Sequence, residues 1–169
     1  MLDRRALMLS GLASASAALA GCQTTPPLGA GVPVGAIRVD VSRLVELGWG
    51  ANAAGIKVAM ERELATLFGP ALRRGAGPTL VVEIRGIWLA SYAGTGGGGR
   101  FGGGGASNDS LDSIATLVEP GGRVLATYPI LSTISSSSGG AWYLPDIDQR
   151  RIAALVANNA LWIKRYVVG

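Results

Sequence analysis

Residues 79–90 read TLVVEIRGIWLA. Leu80, Val82 and Ile84 point one way, and Val81, Glu83 and Arg85 the other. Alternation among β-branched and aromatic residues predicts a strand, here a central one. Gly86 inside it marks an expected bulge. Upstream, Ile56, Met60, Leu64, Leu67 and Phe68 recur at helical spacing, which predicts a helix over 53–68. Asn52 is its candidate N-cap, and Gly69-Pro70 should end it. Further back, AIRVDVS (36–42) alternates cleanly, with Ile37, Val39 and Val41 on the apolar side of a half-buried strand.

Downstream the composition collapses. Residues 91–110, SYAGTGGGGRFGGGGASNDS, carry nine glycines between Gly94 and Gly105. Glycine loses the most entropy on ordering, so this stretch predicts a mobile loop at a hairpin tip. The alternative is a loop that orders against a partner, with Tyr92, Arg100 and Phe101 as contact points. Gly94, Gly96 and Gly99 match the letters of a dinucleotide fingerprint, but no amphipathic helix opens after them. Arg100-Phe101 also stands where a phosphate loop needs lysine and a hydroxyl residue, so no nucleotide is expected.

Residues 111–119 and 123–134 predict a hairpin around Pro120-Gly121-Gly122. Ile114, Thr116 and Val118 share one face of its first arm. Val124, Ala126, Tyr128 and Ile130 share one face of the second, and Pro129 marks that arm as an edge strand. A Ser/Gly loop (135–143) follows. The closing helix begins at Asp146, with Gln149 completing a capping box. Ile152, Leu155, Val156, Asn159, Trp162, Ile163 and Tyr166 form its stripe, with Asn159 the polar exception. The predicted order β-α-β-β-β-α is a small α+β domain. It consists of an antiparallel or mixed sheet of about four strands with two helices on one face.

The first 21 residues are of another kind. Arg4-Arg5 precede the apolar run ALMLSGLASASAALA (6–20), which is too short to span a bilayer. Leu19-Ala20-Gly21-Cys22 closes it and resembles the lipobox of bacterial lipoproteins. The resemblance implies cleavage of a signal peptide (1–21) before Cys22 and a diacylglycerol on the thiol, with a further acyl chain usual on the new amino terminus. Two or more chains anchor a protein stably. Gln23 after the cysteine implies the outer membrane, facing the periplasm, rather than the inner. Asp3-Arg4-Arg5-Ala6-Leu7-Met8 also resembles a twin-arginine signal, and an ordinary export signal remains the alternative. Residues 22–34, with three prolines, read as a lipidated tether to a single domain at 35–169.

Removal of residues 1–21 leaves 148 residues, enough for one core. The charge falls from +4 to about +3 and is spread thinly, and the only basic pairs in that part are Arg73-Arg74, Arg150-Arg151 and Lys164-Arg165. Nothing in this pattern points to nucleic acid. The chain has no histidine and one cysteine, Cys22. That excludes Ser-His-Asp and Cys-His catalysis and the usual zinc sites, and no metal or cofactor is expected. Carboxylates could still act alone. Asp109 and Asp112 are the close acidic pair beside the glycine loop, more readily explained as strand caps.

The segment from Leu80 to Gly140 resembles the body of poorly characterised envelope lipoproteins. It has an apolar strand, a glycine-rich loop, a strand to a Pro-Gly turn, RVLATYPI, a Ser/Gly loop and a last helix. Similar bodies occur in lipoproteins serving lipopolysaccharide assembly, curli-type secretion and lipid transport. The resemblance implies a non-catalytic adaptor or assembly accessory with an envelope protein as partner. Trp142 and Tyr143 are candidate contact residues, or else they staple the last helix to the sheet. The second reading is a binding module for a lipid or other hydrophobic ligand, with Phe68, Trp88 and Trp162 lining a cleft.

Overall fold

A computed structural model describes residues 33–91 and 108–169. The expected signal peptide with Leu19, Ala20 and Gly21, then Cys22, most of the expected tether, and Tyr92, Arg100 and Phe101 lie outside the described residues. The elements are β1 (Ala36–Asp40), a short helical turn α1 (Ser42–Leu44), α2 (Gly50–Phe68), β2 (Thr79–Trp88), β3 (Asn108–Val118), β4 (Val124–Ser135) and α3 (Ile147–Val168). The sheet is mixed, in the order β1-β2-β3-β4. β1 runs parallel to β2, which needs the α2 crossover between them, and the other pairs are antiparallel. The domain is therefore the expected α+β arrangement, with β2 inside the sheet and Pro129 on the edge strand β4.

Leu80, Val82 and Ile84 of β2 are fully buried. They meet Ile56, Met60, Leu64 and Phe68 of α2 and Leu155, Val156 and Ile163 of α3 in one core. The pairing shifts register between Ile84 and Gly86, which is the expected bulge. It lets Ile87, 8 % exposed, return to the core side, while Trp88 lies 61 % exposed beside Ser110 on the uncovered face.

Several local expectations are corrected. α2 is already running at Gly50, so Asn52 lies inside the helix and does not cap it. The chain reaches it through a wide turn (Val45–Trp49) in which Gly48 adopts φ 90°. That left-handed residue breaks the helical path and suits glycine. Asp146 stands at the N-cap of α3 without a side-chain cap bond. Its carboxylate accepts instead from Arg150 Nε at 2.9 Å, so the capping box does not form. The Ser/Gly loop is partly ordered as a 3₁₀ turn (Ser136–Gly139) capped by the Ser135 hydroxyl.

The largest correction concerns β3. Its inward row is Asp109, Leu111, Ser113, Ala115 and Leu117, all buried. Ile114, Thr116 and Val118 are on the opposite, open face. The strand also begins at Asn108, inside the stretch read as loop. Apolar alternation misleads here because α3 brings polar groups to the inward side.

The connections divide between two ends. At the tether end are residues 33–35, the Gly69–Pro78 connection, the 119–123 turn and the last turns of α3. The tether enters through backbone bonds from Val34 N to Ala71 O (2.9 Å), Arg73 N to Val34 O (2.9 Å) and Gly35 N to Pro78 O (2.7 Å). At the far end are residues 41–49, 89–91 and 136–146.

Candidate functional site

The far end is held by a buried ion pair. Arg151, in the first turns of α3, donates from Nε to Asp109 Oδ2 at 2.7 Å and from Nη2 to Asp109 Oδ1. Nη2 also donates to the Ala90 carbonyl at 2.7 Å, and the Ala90 amide donates to Asp109 Oδ1 at 2.9 Å. Asp109 is 0 % and Arg151 2 % exposed. Arg151 Nη1 reaches outward to Asp148 at 3.2 Å. The arrangement ties Ala90, just past β2, to Asp109 at the start of β3. The bidentate geometry fits the planar guanidinium and would not survive exchange for lysine.

Gly139 packs directly on this clamp. A Cβ there would stand 2.7 Å from Arg151 Cγ and 3.1 Å from its backbone nitrogen. Two residues beyond Gly140, Trp142 and Tyr143 project into solvent, 70 % and 71 % exposed. Their rings meet edge to face, with centroids 5.9 Å apart. A staple against the sheet would bury them. Val45 and Leu47, 54 % and 49 % exposed, belong to the same end.

A second polar cluster lies one step down the sheet. Ser113 Oγ donates to Asn159 Oδ1 at 2.9 Å, and Asn159 Nδ2 donates to Ser132 Oγ at 3.1 Å. Asn159, the polar exception in the stripe, is thus a core residue bonded to both β3 and β4. Among the described residues, no buried side-chain nitrogen or oxygen lacks a partner. Full pairing is what makes such a cluster tolerable in a core.

The acidic pair does not converge. Three residues apart on a strand, Asp109 points inward and Asp112 outward, where it lies 3.6 Å from Arg85. Asp109 has both oxygens engaged by donors within the clamp. Among the described residues, no group of three or more His, Cys, Asp and Glu is placed to hold a metal. Two exposed carboxylates do titrate low. The Ser42 hydroxyl and amide bonds hold Asp40 below the usual aspartate range. The Arg123 guanidinium does the same for Glu119 in the β3–β4 turn.

The aromatics expected to line a cleft are dispersed. Phe68 is in the core, Trp88 lies on the open sheet face, and Trp162 is 38 % exposed on the flank of α3. None of them lines the shallow apolar groove of about 230 Å³ between α2 and α3. Ala51, Gly55, Ile56, Ala59, Ile152 and Val156 form much of its wall. The groove is smaller than the ~300–1,000 Å³ usual for small-molecule sites.

Compared with known proteins, the chain matches no family model, no curated protein and no solved structure.

Sequence reasoning missed the Arg151 clamp, having counted Arg150-Arg151 only as a basic pair. One signal was present. Positions 151, 155, 159, 163 and 167 are four apart and all buried, so Arg151 is in phase with the core stripe. Trp162 and Tyr166, placed in that stripe from sequence, instead sit on its flank, and Ala160 and Val167 take the buried positions.

Proposed function

We propose that this chain is a lipid-anchored envelope lipoprotein without catalytic activity. It faces the periplasm, with the outer membrane as the expected site, and works as an adaptor or assembly accessory for an envelope protein. The address comes from Leu19-Ala20-Gly21-Cys22. The observation that carries the adaptor role is the exposed Trp142-Tyr143 pair beside the Arg151–Asp109 clamp. Two rings left in water on a firmly rooted turn are what a protein hot spot looks like before its partner arrives. The turn lies at the end of the domain opposite the tether, where a membrane-held adaptor can present it. The engaged carboxylate of Asp109 and the outward Asp112 support a role other than hydrolysis. Among the described residues, no helix is long and apolar enough to cross a membrane.

In-cell cross-linking of tagged protein, followed by detergent extraction and mass spectrometry, tests the proposal. One abundant envelope partner is expected, lost in a Trp142→Ala/Tyr143→Ala variant that keeps wild-type stability. A Cys22→Ser form should lose labelling by a radioactive fatty acid. Capture that is unchanged without the two aromatics would refute the contact role.

A further inference from the structure

The tether end carries a second exposed cluster that the adaptor reading leaves unused. Leu161, Trp162 and Tyr166 on the last turns of α3 are 53 %, 38 % and 39 % exposed, and Val124 at the start of β4 is 57 % exposed. Tyr166 stacks on the buried Tyr128 with centroids 6.0 Å apart, so the cluster is backed by the core. The Arg165 guanidinium lies 5.2 Å from the centroid of the Trp162 ring. The same end carries four cations, Lys164 and Arg165 on α3 and Arg73 and Arg74 in the connection between α2 and β2. None of them is in an ion pair among the described residues. The acids nearby are few. Glu119 is bound to Arg123, and Glu61 lines the depression beside Arg74.

Half-exposed Trp and Tyr with flanking Lys and Arg are the residues that settle at a bilayer interface. They are also at the end where the chain leaves toward Cys22. From the Val34 bridge to the cysteine there are too few residues to carry the domain more than ~40 Å from the acyl chains. That keeps this end at high effective concentration near the lipid heads, so a weak affinity suffices.

We infer that the tether end of the domain is a membrane-contact surface for anionic phospholipid headgroups. In this arrangement Trp162 and Tyr166 enter the interface, the four cations meet phosphate, and Trp142-Tyr143 point away from the bilayer. The orientation rests on the anchored reading, but the affinity of the surface does not.

Chain 23–169 isolates that affinity, because it lacks Cys22 and keeps the whole described core between Val34 and Val167. It should co-sediment at low salt with vesicles of equal parts phosphatidylethanolamine and phosphatidylglycerol. It should be released by salt and bind phosphatidylcholine vesicles far less. Neutralising Arg73 and Arg74 to Gln should weaken binding about 25-fold, at about fivefold per charge. Brominated lipid should quench the Trp162 emission, a loss abolished in Trp162→Phe and kept in Trp142→Phe. Equal binding to both vesicle types, no effect of the arginine pair, or quenching that follows Trp142 would each overturn the proposal. Absence of fatty-acid label on the full chain would instead count against the anchor alone.

Discussion

Breaking the Asp109–Arg151 pair is the sharpest test of how this fold is held. Arg151→Met keeps most of the side-chain volume and removes the charge. It leaves the Asp109 carboxylate, 0 % exposed, with one remaining donor, the Ala90 amide at 2.9 Å. It also strips the Ala90 carbonyl of the Nη2 bond at 2.7 Å. Removing one partner of a buried pair costs about 3–5 kcal/mol. Set against a total stability of about 5–15 kcal/mol, the variant should be marginal. Asp109→Asn should fare similarly, because its amide donors would face the donors of the guanidinium. The double variant Asp109→Leu/Arg151→Met removes both charges together. It still leaves the Ala90 amide and carbonyl unpaired, at about 1–3 kcal/mol for such groups. It should therefore be more stable than Arg151→Met. Urea unfolding of chain 23–169 measures this. At ~2 kcal/mol/M the Arg151→Met midpoint should fall by about 1.5–2.5 M. A fall under about 0.5 M, or a double variant whose loss equals the sum of the single losses, would refute the claim that the pair acts as one buried unit.

Three further outcomes are expected. Asn159→Ala, which strands the Ser113 hydroxyl and leaves Ser132 only its 3.4 Å bond to the Leu111 carbonyl, should cost about 1–3 kcal/mol in the same urea assay, and Asn159→Leu with both serines changed to Ala should recover part of it. Gly139→Ala pushes a Cβ against Arg151 and should cost about 1–3 kcal/mol, visible as a lower thermal midpoint. Asp40→Ala removes the acceptor for the Ser42 amide and hydroxyl and should cost about 1 kcal/mol at neutral pH. Because the folded chain holds Asp40 below its ordinary value, that contribution is present above the ordinary aspartate range and is lost as pH falls through the lowered value. Stability curves of the wild type and the variant should converge there.

The fold was legible wherever apolar residues follow one period. The stripe Ile56–Met60–Leu64–Phe68, the row Leu80–Val82–Ile84 and the row Ala126–Tyr128–Ile130 each appear in the structure on the side their spacing demands. Glycine and proline were equally readable. Gly86 marks the register shift, Pro129 the edge, and Pro120-Gly121-Gly122 the turn. Of the candidate site, Trp142 and Tyr143 could be named in advance, but their exposure could not.

Sequence by itself determined which segments become strand or helix and in what order, because local sterics and apolar periodicity act between near neighbours in the chain. The proposed lipobox is a signal of the same kind, since it rests on short-range residue identity alone. Only the tertiary structure decided which face of β3 turns inward. Asp109 and Ser113 are polar, and they become core residues because Arg151 and Asn159 arrive 42 and 46 residues later to satisfy them. A polar group can be buried only if its partner is present, and a partner that far away leaves no local mark. The same long-range pairing roots the Trp142-Tyr143 turn at one end of the domain, and strand direction alone sets it opposite the tether.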